Sequence, residues 1–308
     1  MHTNHLDPVS EVLADRLQQD PDYRVLRTLP PPYFEMNGEG GAPEGMCVAL
    51  VDTETTSLDA ENGQIIEIAI KLLWASEDGE LLGHFPIFSW LEDPGHPLDP
   101  EISRITGLRD SDLAGEKIDD EAVMRLLSRA DLIVAHNCAF DIRWIEKRWL
   151  QIAGMPWACS CAEIDWAALG FEGRSQQFLL QQHGWFSAAH RAPGDVWSLF
   201  WLLQQMRPDP QGDGDQIAEQ RDAEMHTHLQ RLLRASSQPS VKIMAVGAPF
   251  QSRHLLQQRG YKWDAATKRK FWWREVAVDA VEAEFAWFRS NAIPAPRCQP
   301  ITARERHR

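Results

Sequence analysis

The sequence contains no apolar run of the roughly 20 residues that a bilayer-crossing helix requires, so a helical membrane span is not expected. Cysteine is scarce. Cys47, Cys138, Cys159, Cys161 and Cys298 are too few and too scattered for a disulfide framework. The opening residues, MHTNHLDPVSEV, lack the basic and apolar regions of a secretory signal. These absences lead to the expectation of a reduced, cytoplasmic protein. A phosphate loop is absent as well: Asn37 to Gly45 is glycine-rich, but it has neither G-x-G-x-x-G spacing nor a following Lys-Ser or Lys-Thr. No internal repeat is present. Positive charge is in deficit, with 31 Lys and Arg against 45 Asp and Glu and a formal balance of −14. That balance excludes a uniformly basic nucleic-acid coat.

What is present is a chain of 308 residues, 44% hydrophobic and 25% charged, enough for one large domain or two modest ones. The charge is unevenly spread. Ser240 to Glu275 holds eight Lys/Arg and two Asp/Glu, a net of +6, which leaves −20 on the rest. Residues 1–45 read as a leader: a short helix with Val9, Val12, Leu13 and Leu17 on one face, a short strand at Tyr23 to Leu26, then Pro30, Pro31 and Pro32, which stop regular structure. Residues 46–206 alternate strand and helix patterns and predict an α/β domain with a mixed sheet. Strands are expected at Met46–Val51, Ile65–Trp74, Leu81–Leu91 (an edge, given Pro86) and Leu132–Ala135. Helices are expected at Asp119–Arg129, Ile142–Ile152, Ser175–His183 and Pro193–Met206. Residues 207–239 read as a linker with a polar helix, 240–290 as a small basic α+β module, and 291–308 as a disordered tail.

Three short segments carry candidate chemistry. In Val51-Asp52-Thr53-Glu54-Thr55-Thr56, two carboxylates stand two residues apart at the end of an apolar strand, and so share one face. Like charges that close repel unless a cation lies between them, and hard divalent cations take oxygen ligands. In His136-Asn137-Cys138-Ala139-Phe140-Asp141, Asp141 follows a second apolar strand and falls in the first turn of a helix, where an acid also complements the helix dipole. In His190-Arg191-Ala192-Pro193-Gly194-Asp195-Val196, Asp195 opens a helix and His190 precedes it in a loop, with a titration range suited to proton transfer. Each segment alone has a bland explanation as a strand end or a helix cap.

The order D-x-E, then H-N-x-x-F-D, then H-x-x-x-x-D resembles the DEDDh 3′–5′ exonuclease superfamily, which includes the proofreading epsilon subunits of bacterial DNA polymerase III and stand-alone relatives. The resemblance covers about residues 46–206. LVDTETTSLD carries Ser57 where the family commonly has Gly, and Thr106 stands where many members have His. A histidine with four residues before the last Asp fits the His class rather than its Tyr sibling. The resemblance implies a ribonuclease H-like mixed sheet flanked by helices and hydrolysis of DNA phosphodiesters from the 3′ end. It also implies two divalent ions, Mg²⁺ or Mn²⁺, held by Asp52, Glu54, Asp141 and Asp195, with His190 as the base. It places Leu58, Phe140 and the backbone from Thr53 to Thr55 beside the terminal nucleotide, although core packing explains Phe140 equally well. The implied partners are DNA 3′ ends, single-stranded or frayed, and a DNA polymerase subunit. RNA trimming by the same acids, and a non-catalytic nucleic-acid-binding role, are the alternatives.

Two further groups stand apart. Cys159 and Cys161 with His183 do not have standard zinc spacing. In the basic module, Arg253, Arg259, Lys262, Lys268, Arg269, Lys270 and Arg274 interleave with Tyr261, Trp263, Phe271, Trp272 and Trp273. That pattern reads either as a nucleic-acid patch or as a folded module with aromatics inside and charges outside.

Overall fold

The structure is a computed structural model that describes residues 7–32, 43–209, 224–265 and 270–308. It divides into two compact units, residues 1–235 with 307–308, and residues 236–306.

The first unit begins with α1 (Pro8–Gln18) and β1 (Arg27–Thr28), followed by the strands β2 (Met46–Thr55), β3 (Ile65–Ala75) and β4 (Leu81–Leu91). The short helices α2 (Pro100–Thr106) and α3 (Asp110–Leu113) lead to α4 (Asp120–Leu127), β5 (Leu132–Ala135) and α5 (Ala139–Arg148). Then come β6 (Trp157–Cys159), α6 (Ser160–Glu163), α7 (Gln176–Gln182), β7 (Trp185–Phe186), α8 (Ala192–Gln204) and the β8–β9 hairpin (Met206–Pro208, Met225–Thr227). The helix α9 (His228–Ser237) ends the unit's regular structure.

The central sheet has the order β4-β3-β2-β5-β6. β2 pairs antiparallel with β3 and parallel with β5, and β6 adds parallel to β5. This mixed, ribonuclease H-like sheet is flanked by helices, in the α/β class expected. Alternation along β2 divides the work between the two faces. Cys47, Ala49 and Val51 pack with Val123, Leu127, Ile142, Trp144 and Ile145 of α4 and α5. Leu50, Asp52 and Glu54 stand opposite Lys71, Ala69 and Glu67 of β3, and that face is covered by α8, whose Phe200 and Trp197 rings lie 4.6 and 5.5 Å from Lys71 Nζ.

The structure differs from the sequence expectation in several places. The leader is part of the first unit: β1 pairs parallel with β7, and the Trp197 indole donates to the Pro30 carbonyl at 2.8 Å. The strand expected at Tyr23–Leu26 is displaced to Arg27–Thr28. The helix α1 forms, but its apolar stripe is exposed (Val9 68%, Val12 69%), and the helix is held instead by Arg27 bonding Glu11 and Asp15. Residues 210–223 of the expected linker and residues 37–42 of the glycine-rich stretch lie outside the described residues.

The second unit holds β10 (Ser240–Ala245), α10 (Arg253–Gln258), β11 (Lys262–Asp264), β12 (Phe271–Ala277), α11 (Val281–Ser290) and β13 (Arg297–Ile301), with sheet order β11-β12-β10-β13. The tail expected to be disordered therefore supplies an edge strand, pairing antiparallel with β10 from Arg297 to Ile301. Arg306 beyond it is buried against Glu275 at 2.9 Å. Polar and proline-rich composition hid this strand, because its bonds are made by the backbone.

β3 is buried along its whole length even though it carries Glu67 and Lys71. Burial pushes the Lys71 amine down to about 7, while it donates to the Phe85 carbonyl at 2.6 Å and meets His84 Nδ1 at 2.9 Å. The unfolded chain keeps this proton up to about pH 10.4. Between about pH 7 and 10 the unfolded state thus binds more protons, and this residue's contribution to stability rises with pH. Lys71→Met is expected to be most favourable relative to wild type at about pH 6.5, with the advantage shrinking by about pH 9.5. Thermal midpoints of the two proteins across that range check it.

Candidate active site

The site forms at the carboxyl ends of the parallel strands β2 and β5, the usual crevice of such sheets. The β2–β5 ladder stops at Leu50↔Val134, while β2 continues to Thr55 along β3. Asp52 and Glu54 therefore project from strand that is fixed on one side only. The helix α8 brings Asp195 in its first turn to the same place. Ligand oxygens of Asp52, Glu54 and Asp195 all lie within 4.8 Å of one another, and among the described residues this is the group of three side chains able to hold a metal ion.

Asp141 reaches the cluster from α5. It is 2% exposed and accepts a hydrogen bond from Thr53 Oγ1 at 2.8 Å. Thr53 lies between Asp52 and Glu54 but points to the other face, so one strand segment holds acids from both sides of the sheet. The turns before α5 and α8 place Asn137 (φ 74°) and His190 (φ 66°) in the left-handed region. For His190 that strain is offset by its backbone N–H, which donates to Asp195 Oδ2 at 2.7 Å. The His190 side chain is exposed.

Burial raises every acid in the cluster, and repulsion by neighbouring carboxylates adds to it at Asp52 and Glu54. Asp52 is driven well above the carboxylate range by burial, then by Asp141, Asp195, Glu54 and Glu67. Glu54 rises to about 8, from burial first and then Asp195 and Glu67. Asp141 rises to about 7 through burial, against the pull of the Thr53 hydroxyl. Asp195 is raised by burial and lowered partly by the His190 N–H. Carboxyl groups packed this closely in a low-dielectric crevice are the donor set that a hard divalent cation requires.

The sequence reading missed Glu67. It is 2% exposed, directly opposite Glu54 in the ladder. Arg191 grips it through Nη2 at 2.8 Å and Nε at 3.1 and 3.2 Å, and the Ala192 N–H donates to it at 2.9 Å. This carboxylate ties the start of α8, and with it His190 and Asp195, to β3. The available signal was a lone acid inside the apolar run IIEIAI.

Other sequence candidates fall variously. The Thr55 hydroxyl is buried and donates to the Ser57 carbonyl at 2.7 Å, so its side chain, like that of Thr53, is turned to internal bonding. Leu58 is 81% exposed. Phe140 is half-buried, packs on the core and faces Trp144 at 6.0 Å. His183 pairs with His228, Nε2 to Nε2 at 2.9 Å, rather than joining Cys159 and Cys161 in a metal site. In the second unit Arg259 and Arg274 are not the surface cations expected, because both bond the buried Glu284, at 3.0 and 3.1 Å. Burying that carboxylate requires partners. Arg253 stacks over Phe250 at 4.0 Å, Lys262 and Lys270 are exposed, and Lys268 and Arg269 lie outside the described residues.

Fold and cluster together define an α/β domain with a carboxylate site built for divalent cations. Comparison with known proteins agrees with this. Residues 50–196 match the family model described as Exonuclease, RNase_T, in line with the resemblance to the DEDDh-type 3′–5′ exonuclease superfamily. DNA polymerase III PolC-type of Listeria monocytogenes is 33% identical over 119 residues, 38% of this chain and 8% of that protein. The PolC-type polymerase of Streptococcus pyogenes is 32% identical over 108 residues, 34% and 7%. The chain thus spans less than a tenth of these relatives. A solved structure of Exonuclease X in complex with 5′ overhanging duplex DNA is 23% identical with a TM-score of 0.38, covering 49% of this chain and 86% of that one.

Two outcomes are expected. With Glu54 and Asp141 raised toward 8 and 7, the folded state binds more protons than the unfolded chain from about pH 4 upward. The EDTA-treated protein should therefore lose stability as pH rises through that window. Millimolar Mn²⁺ should restore the melting midpoint at about pH 8 and change it little at about pH 5; an equal response at both would contradict the site. Separately, Glu67→Gln should cost about 1–3 kcal/mol of stability. It should also raise the Mn²⁺ concentration for half-maximal activity, with Arg191→Gln adding little on top of it.

Proposed function

We propose that the protein is a metal-dependent 3′–5′ exonuclease that removes nucleoside monophosphates from DNA ends. The observation that carries this reading is the convergence of Asp52, Glu54 and Asp195 within 4.8 Å, beside Asp141 and His190, inside an exonuclease-family segment. The relatives that share the segment are DNA polymerases by name, which favours DNA and is compatible with work beside a polymerase.

Asp52, Glu54 and Asp195 would hold one divalent ion, Mg²⁺ or Mn²⁺, and Asp52 with Asp141 a second. Such ions neutralise the phosphate and make water a better nucleophile. The chain's own groups set the rest. The β2–β3 ladder fixes where Asp52 and Glu54 stand. Thr53 holds Asp141 in place. Bonding between the His190 N–H and Asp195 fixes the loop from which the imidazole can take the proton of an attacking water. Glu67 and Arg191 hold that loop against β3. Leu58, with its exposed side chain, and Phe140 would flank the last nucleotide, and the backbone of Thr53 to Thr55, beyond the end of the β2–β5 ladder, would approach it.

The test is release of nucleoside 5′-monophosphates from 5′-labelled single-stranded DNA with Mn²⁺, run beside an RNA of the same sequence. DNA is expected to be the better substrate. Asp52→Ala should remove activity without unfolding the chain, and His190→Ala should lower it about 10²- to 10⁴-fold. Metal-dependent turnover retained in Asp52→Ala would reject the mechanism, and faster cleavage of RNA would reassign the substrate.

A further inference from the structure

The second unit has two unlike faces. Val241, Ile243 and Ala245 of β10 and Trp272 and Val276 of β12 pack with Leu256, Phe288 and Ile293. The intervening residues, Lys242, Met244 and Trp273, must therefore stand on the opposite side. The register lines up one row across all four strands. Lys262 is opposite Trp273, Trp273 is opposite Met244, and Met244 is opposite Arg297. At the usual strand spacing this row spans about 14 Å. Lys242 joins it diagonally, with Nζ 4.5 Å from the centre of the Trp273 ring, and Lys262 Nζ lies at 5.8 Å. A half-buried indole is thus flanked by lysines and by the Met244 side chain on this face.

The charge on this face is positive. Among the described residues Lys242, Lys262 and Arg297 take part in no ion pair, whereas Arg259 and Arg274 on the helical side are spent on Glu284. Glu275 is on the same face as Trp273 but is bonded by Ser240 and Arg306. Asp264 lies toward the edge, opposite Phe271. The segment Ser240 to Glu275, which carries Lys242 and Lys262, has a net of +6 in a chain of −14.

We propose that this sheet face is a platform for single-stranded nucleic acid, with a base stacked on Trp273 and phosphates held by Lys242, Lys262 and Arg297. The choice of ligand rests on the reading of the first unit as a nuclease. Aromatic stacking needs an unpaired base, which a duplex does not offer, and it tolerates any sequence. The lysine heads that cover the indole are flexible and strongly hydrated, so they can move to phosphate as a base takes their place.

The experiment is fluorescence anisotropy of the full chain in EDTA with a 5′-fluorescein oligothymidylate of about 20 nucleotides and a blunt duplex of equal length. Wild type is expected to hold the single strand more tightly than the duplex. Lys242→Glu with Lys262→Glu should weaken the single strand at least 10-fold and lower the salt slope by about 1.4. Trp273→Leu should weaken it about 5- to 10-fold, and Trp273→Phe, which keeps a ring and guards against a folding defect, should retain most of the affinity. Hydrolysis of thymidine 5′-monophosphate p-nitrophenyl ester should be unchanged in all of them. Unaltered oligothymidylate binding in the lysine double variant, or equal losses in the Leu and Phe variants, would overturn the platform. Failure of wild type to cleave the ester would sink the nuclease reading alone, since binding in EDTA is read separately.

Discussion

Repulsion among buried carboxylates is the constraint around which the first unit is organised. Asp52, Glu54, Asp141 and Asp195 sit close enough, and dry enough, that each is raised above its ordinary range. Left to local preferences, such groups would spread into water. They stay together because the elements carrying them are anchored elsewhere: β2 by its long ladder with β3, α5 by the apolar core on one face, and α8 by the apolar core on the other. The scaffold thus holds a preorganised demand for positive charge.

Neutral and cationic partners do the fine positioning. Thr53 holds Asp141, the His190 N–H holds Asp195, and Arg191 links Glu67 to the same loop. One of these, Thr53, is adjacent in sequence to Asp52 and Glu54. The strand's two faces serve different helices, so a single run of four residues, Asp52 to Thr55, contributes to both. The second unit solves a similar problem with the opposite sign. Its one deeply buried acid among the described residues, Glu284, gathers Arg259, Arg274 and Tyr261 inward, and Lys242, Lys262 and Arg297 lie on the other face of the sheet.

Much of this was legible in the residue pattern. β4 and β5 fall where alternation and apolar runs put them, and α4, α5, α7 and α8 agree to within a few residues at their ends. The pattern works there because burial is periodic along each element. It failed where bonds are made by backbone or where polar groups are buried in pairs. β13 is a strand despite its Pro300 and polar residues, because β10 offers it an edge. α1 shows an apolar stripe that is exposed among the described residues, and its tether is ionic. Arg259 and Arg274 looked like surface charge because Glu284, their partner, is 25 and 10 residues away.

By itself the sequence determined the chemistry available: four acids and a histidine in a fixed order, two of the acids bound to one strand face by local geometry alone. It determined the α/β class too, through periodicities that need only neighbouring residues. Tertiary structure alone decided that Asp195 closes on Asp52 and Glu54 across more than 140 positions of chain, that Glu67 is the clamp behind them, and which lysines share a face with Trp273. Those are facts of strand register and packing. Register is fixed by long-range hydrogen bonds whose partners no local pattern names, and a shift of one residue would have turned each of the strand-borne side chains to the other side of its sheet.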